Sequence, residues 1–241
     1  MRYTTSARSL VRSTRATGYP ARAALRQCVA LAAVLACHAA TAAVRPDPAS
    51  SKVSNLAHWV IASHDNDHMP YVIIDKVNAE VFLFDAAGHL QAAAPALLGL
   101  ARGDRSVKGI GEEKMSAIRP QDRITPAGRF VASLGRDPHG KEILWVDYKD
   151  AIALHPVVKG TPQERRAERL ASPTSADNRI SYGCINVPLV FYRKFISPAF
   201  AHTSGVVYIL PEESSVRGFF GSYKLGAGTG SSTGPGPNTV R

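Results

Sequence analysis

The chain has 241 residues, enough for one ordinary domain with tails. Its 29 lysines and arginines face 19 acidic residues, but six of the arginines fall within residues 2–26, and without them the count is 23 against 19. This balance gives little reason to expect a nucleic-acid partner. It is compatible with work at an acidic surface such as a cell wall or anionic lipid, and ordinary solubility explains it equally well.

Residues 1–42 are predicted to be a cleavable export signal. A basic region without acidic residues is followed by an apolar run over 28–37 and by the small-residue stretch 39–43. The apolar run is shorter than the ~20 residues that a membrane-spanning helix needs. We expect cleavage after Ala42, with lipoprotein processing at Cys37 as a weaker alternative. The mature protein is therefore predicted to be exported, to the periplasm or cell wall, without a transmembrane segment.

Residues 43–69 are interpreted as a linker that leads into the folded domain, because the stretch 45–56 is polar and contains prolines. The folded part is expected to begin with a strand pair. Apolar, β-branched and aromatic residues over 71–74 and 80–84 predict two strands around a turn at 76–79.

The next part of the chain is predicted to be a long exposed loop over 103–111, which carries three glycines and the basic residues Arg105 and Lys108. Further strands are expected where short apolar runs occur, at 129–132, 143–146, 151–154 and 206–210. The pattern predicts one mainly β domain over residues 70–211.

Two helices are expected within this domain. A capping-box pattern with proline at the first helical position predicts a surface helix over 161–170. A second helix is expected to start near 187 and to end before Pro198. Residues 212–241 are interpreted as a C-terminal extension, disordered from about residue 226, where Gly, Ser, Thr and Pro dominate.

Cys184 is the only cysteine outside the predicted signal, so the mature chain cannot form an internal disulfide. A lone thiol in an oxidising compartment is a liability unless its reactivity is used, which makes Cys184 a candidate nucleophile. Gly183 permits a tight turn, and the helix expected soon after would favour thiolate and supply N–H groups for an oxyanion. His155, at a strand end, is the best candidate base. An inert buried cysteine is the alternative.

The segment 181–186, Ser-Tyr-Gly-Cys-Ile-Asn, resembles the signature of the L,D-transpeptidase catalytic (YkuD-like) domain, a Ser-x-Gly-Cys-apolar-Arg/Asn element preceded by a histidine. Three other segments are similar to the same family: 75–84 to its first hairpin, 125–130 to its Thr-Pro-x-Gly-x-Phe turn, and 153–155 to its histidine strand. The resemblance spans about residues 70–211.

The chain departs from the family pattern at three places. Tyr182 stands where many members carry histidine, and Pro156 follows His155 where glycine or serine is usual. The separation of 29 positions between His155 and Cys184 is longer than typical, and the predicted 161–170 helix fills it. These departures bear on substrate choice more than on the chemistry.

The resemblance implies a mainly β, sandwich- or barrel-like fold with one or two short helices near the site. It also implies an L,D-transpeptidase that acts on peptidoglycan stem peptides with no cofactor. In that reaction Cys184 would attack the carbonyl of the L-centre of the diamino acid before a terminal D-residue, and His155 would be the general acid and base. The N–H groups of Gly183 and Cys184, with the Tyr182 hydroxyl, would hold the oxyanion.

Further residues have two readings each. Either the Pro156 carbonyl or the Ser181 hydroxyl is expected to hold the imidazole in one tautomer. Asn186 is expected either to cap the following helix or to position substrate, and Arg179 either to bind a substrate carboxylate or to be solvated. The segment 64–68, His-Asp-Asn-Asp-His, has metal-ligand residue types, but nothing completes a four-ligand shell, so we expect a loop and no metal.

Two alternative functions stay open from the residues alone. Water could resolve the same acyl-enzyme, which would make the protein an L,D-carboxypeptidase or an enzyme that detaches a wall-bound protein. A non-catalytic wall-binding module would keep the fold, but it would have no need of Cys184 and His155.

Overall fold

A computed structural model describes residues 50–220, so the predicted signal over 1–42 and the predicted disorder from 226 lie outside the described residues. The described part is mainly β, and every strand predicted from an apolar run is present. The ten strands are β1 Tyr71–Asp75, β2 Glu80–Phe84, β3 Leu90–Pro95, β4 Leu98–Gly99, β5 Gly128–Arg136, β6 Glu142–Asp147, β7 Ile152–Pro156, β8 Arg179–Ser181, β9 Ile185–Val187 and β10 Gly205–Ile209.

Eight of these strands form one sheet that nearly closes into a barrel. Their order is β3-β2-β1-β10-β5-β6-β7-β9, and β4 pairs with β8 as a separate ribbon. The pairs β1–β10 and β7–β9 are parallel, and the other pairs of the large sheet are antiparallel. Leu97, just after β3, exchanges two backbone hydrogen bonds with Asn186 in β9, at 2.8 and 2.9 Å. This contact joins the two edges of the sheet.

The interior of the barrel is the larger hydrophobic core. Alternate strand residues point inward, as a strand period of two requires, and Ile74, Leu144 and Leu154 are fully buried there. Phe191 and Ile196 from the helical segment after β9 join the same core. Burying each such side chain contributes about 1.5–3 kcal/mol, so the core holds the strands firmly in place.

A helix covers one half of the outer face of the sheet, over β1, β2, β3 and β10, and we call the other half, over β5, β6, β7 and β9, the open half. Helix α1, Ser51–Ser63, packs on the outside of β1, β2, β3 and β10 and buries a second core with Tyr71, Phe82 and Tyr208. The interpretation of this region as a linker was wrong for residues 51–63. Val53, Leu56, Ala57 and Val60 form an apolar stripe at helical spacing, set among polar residues, and Ser50 caps the helix.

The helices after β7 differ from prediction at their boundaries. The capping box is present in a 3₁₀ turn, Pro162–Glu164, but Arg165 takes φ 46° and separates it from helix α2, Arg166–Ala171. After β9, helix α3 (Leu189–Phe191) continues through a π-helical turn (Tyr192–Ile196) into α4, Ser197–Phe200. The prediction that this helix ends before Pro198 was wrong, because the wider turn leads proline into the first turn of α4.

The first part of the predicted C-terminal extension belongs to the folded unit. Helix α5, Val216–Phe219, is capped by Ser215, and Phe220 is buried against Tyr208 on the outer face. Across residues 50–220, the search for membrane spans finds no helix with the length and apolar character to cross a bilayer.

Candidate active site

Cys184 lies in the tight connection between β8 and β9. Gly183, just before it, takes φ +133°, and a Cβ on it would lie 2.8 Å from both the Ile124 carbonyl oxygen and Ile152 Cδ1, so only glycine fits. Buried Thr125 anchors the connection: its hydroxyl donates to the Gly183 carbonyl at 2.8 Å. The turn that carries the thiol is therefore fixed by tertiary contacts.

Ser181 closes this turn. Its hydroxyl donates to the Cys184 carbonyl at 2.6 Å and accepts from the Gly183 N–H at 3.1 Å. Both bonds lie within residues 181–184, which we call the nucleophile turn after the predicted role of Cys184. The Gly183 N–H, predicted to hold an oxyanion, is already engaged within the turn, whereas the Cys184 N–H stays a predicted donor.

The imidazole is oriented by the other expected partner, the Pro156 carbonyl. His155 Nδ1 lies 2.8 Å from this oxygen, which only accepts hydrogen bonds, so Nδ1 carries the proton and Nε2 is left as the basic nitrogen. Burial lowers the pKa of His155 below its ordinary 6.5, the Pro156 carbonyl raises it, and the charge of Arg166 lowers it further, with a net decrease. The ring is therefore neutral near pH 7 and able to take a proton.

Strand pairing places His155 and Cys184 on the same face of the sheet. In the parallel pair β7–β9, Leu154 is opposite Ile185 and His155 is opposite Asn186. Leu154 and Ile185 are fully buried in the barrel, so the residues that alternate with them face outward. His155 and Cys184 therefore occupy diagonal positions on the outer face of two adjacent chain segments.

The thiol is partly exposed and uncharged at rest. Cys184 Sγ lies 3.6 Å from the Ala151 carbonyl oxygen, to which the S–H donates. Burial raises the pKa of the thiol, and the hydrogen bond from the Ala153 N–H offsets this only in part. The prediction that a helix start would favour thiolate was wrong, because β9 separates Cys184 from the next helix, which begins at Leu189. The thiol therefore needs a base.

Arg166 is a site residue that the sequence analysis missed. Its Nη1 donates to Asn186 Oδ1 at 3.1 Å, and its Nε donates to Glu164 Oε2 at 2.9 Å. Asn186 is buried and caps no helix; its Nδ2 donates instead to the Cys184 carbonyl at 3.3 Å. Residues 161–171, which lie between His155 and Cys184 and which we call the inserted segment, therefore reach the nucleophile turn. The unusual separation between His155 and Cys184 was the one available signal.

Tyr182 is covered by a second arginine. The guanidinium of Arg123 lies 3.9 Å above the centre of the Tyr182 ring and also donates to the Ile118 carbonyl, with Nε and Nη2 each at 3.2 Å. Such a cation–π contact contributes about 0.5–2 kcal/mol. Tyr182 is thereby held in place next to Cys184, and an oxyanion contact from its hydroxyl stays a prediction.

Arg179 binds a carboxylate of the protein itself rather than standing in solvent. Its Nη2 donates to Glu212 at 2.6 Å and to the Lys76 carbonyl at 2.7 Å. Lys76, which the sequence analysis missed, is fully buried and donates to Asp104 at 2.8 Å and to the Thr125 carbonyl at 3.0 Å. These groups form a buried ionic network behind the nucleophile turn, in which the Arg179 guanidinium is paired within the protein; substrate binding by Arg179 stays a prediction.

Burial and charge pairing oppose each other in this network. Burial lowers the pKa of Lys76, and the carboxylates of Asp104 and Glu212 oppose that shift. Burial raises the pKa of Asp104, but the Lys76 ammonium and backbone N–H groups over 212–214 together lower it well below its usual range. The ion pair between Lys76 and Asp104 therefore favours the charged form of each group against the effect of burial.

The segment 64–68 is a loop held by other contacts. Asp65 accepts from Arg129 Nε and from the Tyr208 hydroxyl, each at 2.6 Å. Within residues 50–220, no group of three or more His, Cys, Asp or Glu side chains is placed to hold a metal ion.

No family model and no curated protein matches the chain. Among solved structures it is similar to the helical cell shape determining protein Pgp2 from Campylobacter jejuni, at 15% identity and a TM-score of 0.40, with 61% of this chain and 49% of that chain covered. The chain thus spans about half the length of Pgp2.

Two L,D-transpeptidases also resemble the chain. The catalytic domain from E. faecium aligns at 14% identity and a TM-score of 0.31, covering 59% of this chain and 98% of that one. The enzyme from Mycobacterium smegmatis aligns at 13% identity and a TM-score of 0.31, covering 58% of each chain. Because these identities and scores are low, we infer the function from the residues around Cys184.

Proposed function

We propose that this protein is a cysteine-dependent L,D-transpeptidase that acts on peptidoglycan stem peptides. The observation that carries the proposal is that His155 of β7 and Cys184, just before β9, both alternate with buried residues of paired strands and so share the outer face, with the imidazole held by the Pro156 carbonyl. Support also comes from the resemblance of the segment 181–186 to the L,D-transpeptidase signature. The export signal predicted over 1–42 would deliver the enzyme to its substrate.

The first half of the reaction forms a thioester. As Cys184 Sγ bonds to the carbonyl carbon of the third stem residue, its proton passes to His155 Nε2. The carbonyl oxygen becomes an oxyanion, for which the Cys184 N–H is the predicted donor. Collapse of this intermediate breaks the amide bond, and the leaving D-amino acid takes the proton back from the imidazolium.

The second half transfers the acyl group. The amine of an acceptor stem attacks the thioester carbonyl and gives a proton to His155. The carbon–sulfur bond then breaks, the new amide is released, and the imidazolium returns its proton to the Cys184 sulfur. The enzyme ends in its starting state, and no external oxidant or reductant is consumed.

The two pKa shifts determine the resting state of the pair. Burial raises the pKa of Cys184 and lowers that of His155, so the neutral thiol and neutral imidazole are favoured over the thiolate–imidazolium ion pair. Proton transfer must therefore accompany attack on the carbonyl. A resting neutral thiol also resists oxidation, which suits an exported enzyme.

The proposal is tested by acylation with a carbapenem followed by mass spectrometry of the intact protein. We expect one adduct, located on Cys184, with none in Cys184→Ala and at least a hundredfold slower formation in His155→Gln. Digested muropeptides incubated with the enzyme should then yield cross-linked dimers. Absence of an adduct on the folded protein would refute the cysteine mechanism, and trimmed stems without dimers would show that water is the acceptor.

A further inference from the structure

Two aromatic rings stack on the open half of the outer face. Trp145 of β6 and Tyr148 of the following turn have ring centroids 4.6 Å apart and planes inclined by 23°. Tyr148 is 67% exposed, which is unusual for a large ring that packs on another ring. We call this pair the aromatic platform. Exposed apolar surfaces of this kind, set among polar residues, mark binding sites.

The platform is shaped by a glycine in the neighbouring strand. A Cβ on Gly135 of β5 would lie 2.6 Å from Trp145 Cδ1, 2.9 Å from its Nε1 and 3.3 Å from the Tyr148 hydroxyl. Any side chain there would push the indole away from the strand. Glycine weakens a strand interior, and here it gives the indole room to lie close over β5. The platform is therefore formed before any ligand binds.

Strand register places the platform beside the nucleophile. Trp145 is opposite Ala153 of β7, and the sulfur of Cys184 meets the Ala153 N–H from the other side. Two strand spacings of about 4.8 Å therefore separate the chain at Trp145 from the chain at Cys184, roughly 10 Å. Tyr148 also shares a turn with Ala151, whose carbonyl accepts the Cys184 S–H.

We propose that the aromatic platform binds a pyranose ring of the glycan strand that carries the stem peptide, and so guides the stem to Cys184. This inference rests on the proposed function. A pyranose offers a flat C–H face to an aromatic ring and polar groups at its edge. Polar residues lie close to the platform along the chain and the sheet, because Ser133 is opposite Trp145, and Asp147 and Lys149 flank Tyr148.

The length of the substrate favours a sugar over a peptide side chain as the occupant. The reacting carbonyl belongs to the third stem residue, and three extended residues span roughly 10–11 Å. The backbones at Trp145 and Cys184 are already roughly 10 Å apart, and the indole leans away from Cys184 over β5, so the rings lie at or beyond the full reach of these three residues. The group that can occupy the platform while the third residue reaches the thiol is therefore the sugar that carries the stem.

The chain allows a direct binding test, because it contains only two tryptophans, Trp59 and Trp145. In a Trp59→Phe background, Trp145 reports alone. We expect titration with a linear N-acetylglucosamine tetramer, which has no stem peptide, to change its emission in a saturable way. Adding Tyr148→Ala should weaken the affinity roughly tenfold. The control Val190→Ala alters an exposed apolar residue on α3 and should leave the affinity unchanged.

Acylation by a carbapenem, which carries no sugar, separates this inference from the proposed function. We expect Tyr148→Ala and Trp145→Ala to be acylated on Cys184 within twofold of the parent rate, while dimer formation from glycan-linked stems falls about tenfold. An acylated protein whose emission does not respond to the tetramer, or whose affinity is indifferent to Tyr148→Ala, would overturn the inference. A protein that binds the tetramer but is not acylated would refute the proposed function alone.

Discussion

Replacing Thr125 by valine tests how tightly the nucleophile turn is held. Valine has nearly the shape of threonine, so the change leaves no cavity, but it removes the hydroxyl. That hydroxyl, on a fully buried residue, serves two backbone groups: it donates to the Gly183 carbonyl and accepts from the Gly99 N–H, both at 2.8 Å. Each buried group left without its partner costs about 1–3 kcal/mol. With two groups affected, we expect the free energy of unfolding to fall by about 2–6 kcal/mol.

Thr125→Val should also slow the acylation of Cys184. With the Gly183 carbonyl released, the turn can move the Cys184 sulfur away from the imidazole, and misplacement by about 1 Å can cost a hundredfold in rate. Stability is measured by urea unfolding, and the rate by mass spectrometry of carbapenem acylation. Thr125→Ser keeps both bonds and should lose only about 1 kcal/mol. Equal stability and equal acylation in the valine variant would refute this account of the turn.

Three further predictions concern charge. Because the pKa of His155 lies below 6.5 and the neutral ring is the base, the acylation rate should rise with pH below 6.5 and be level near pH 7; a rise that continues through pH 8 would contradict it. Arg166→Gln should raise the pKa of His155, because it removes a positive charge that lowers this pKa, and the rise of the acylation rate should therefore occur at higher pH. Arg165→Gln, at the exposed neighbouring position, should not shift the pH profile. Lys76→Met should reduce the free energy of unfolding by about 3–5 kcal/mol, because it leaves the buried Asp104 carboxylate without its ammonium partner. Urea unfolding measures this, and a loss below 1 kcal/mol would disprove the buried pairing.

The sequence predicts the barrel where strands are rich in β-branched and aromatic residues, as in β1, β2 and β10. It does not predict β3, whose Ala92, Ala93 and Ala94 have weak strand preference. These small residues fit because the two faces of β3 pack against different cores, the barrel interior and the underside of α1. Such a position is defined by tertiary packing, and local composition carries no sign of it.

The candidate site also contains residues that the sequence predicts and residues that it does not. The candidates Cys184, His155 and Pro156 are predictable, because a local motif and a strand end identify them. Arg166 is not, since its contact with Asn186 joins residues 20 apart and depends on the left-handed conformation of the residue before it. Lys76 is hidden for another reason: lysine in a turn suggests exposure, and only its distant partners make burial tolerable.

In the proposed function, the segments that border the open half of the outer face are separate from the groups that react. Two segments border it: a Cβ on Gly111 would meet the Lys149 carbonyl, so the turn Ile110–Glu112 packs against the β6–β7 turn, and the inserted segment reaches Asn186 from the other side. Neither segment supplies the imidazole, which is on β7, or the thiol, which is in the turn between β8 and β9. Changes in the bordering segments should therefore alter which molecules approach Cys184 while leaving its geometry intact. The Arg166–Asn186 contact is the point at which the inserted segment can also affect the nucleophile turn.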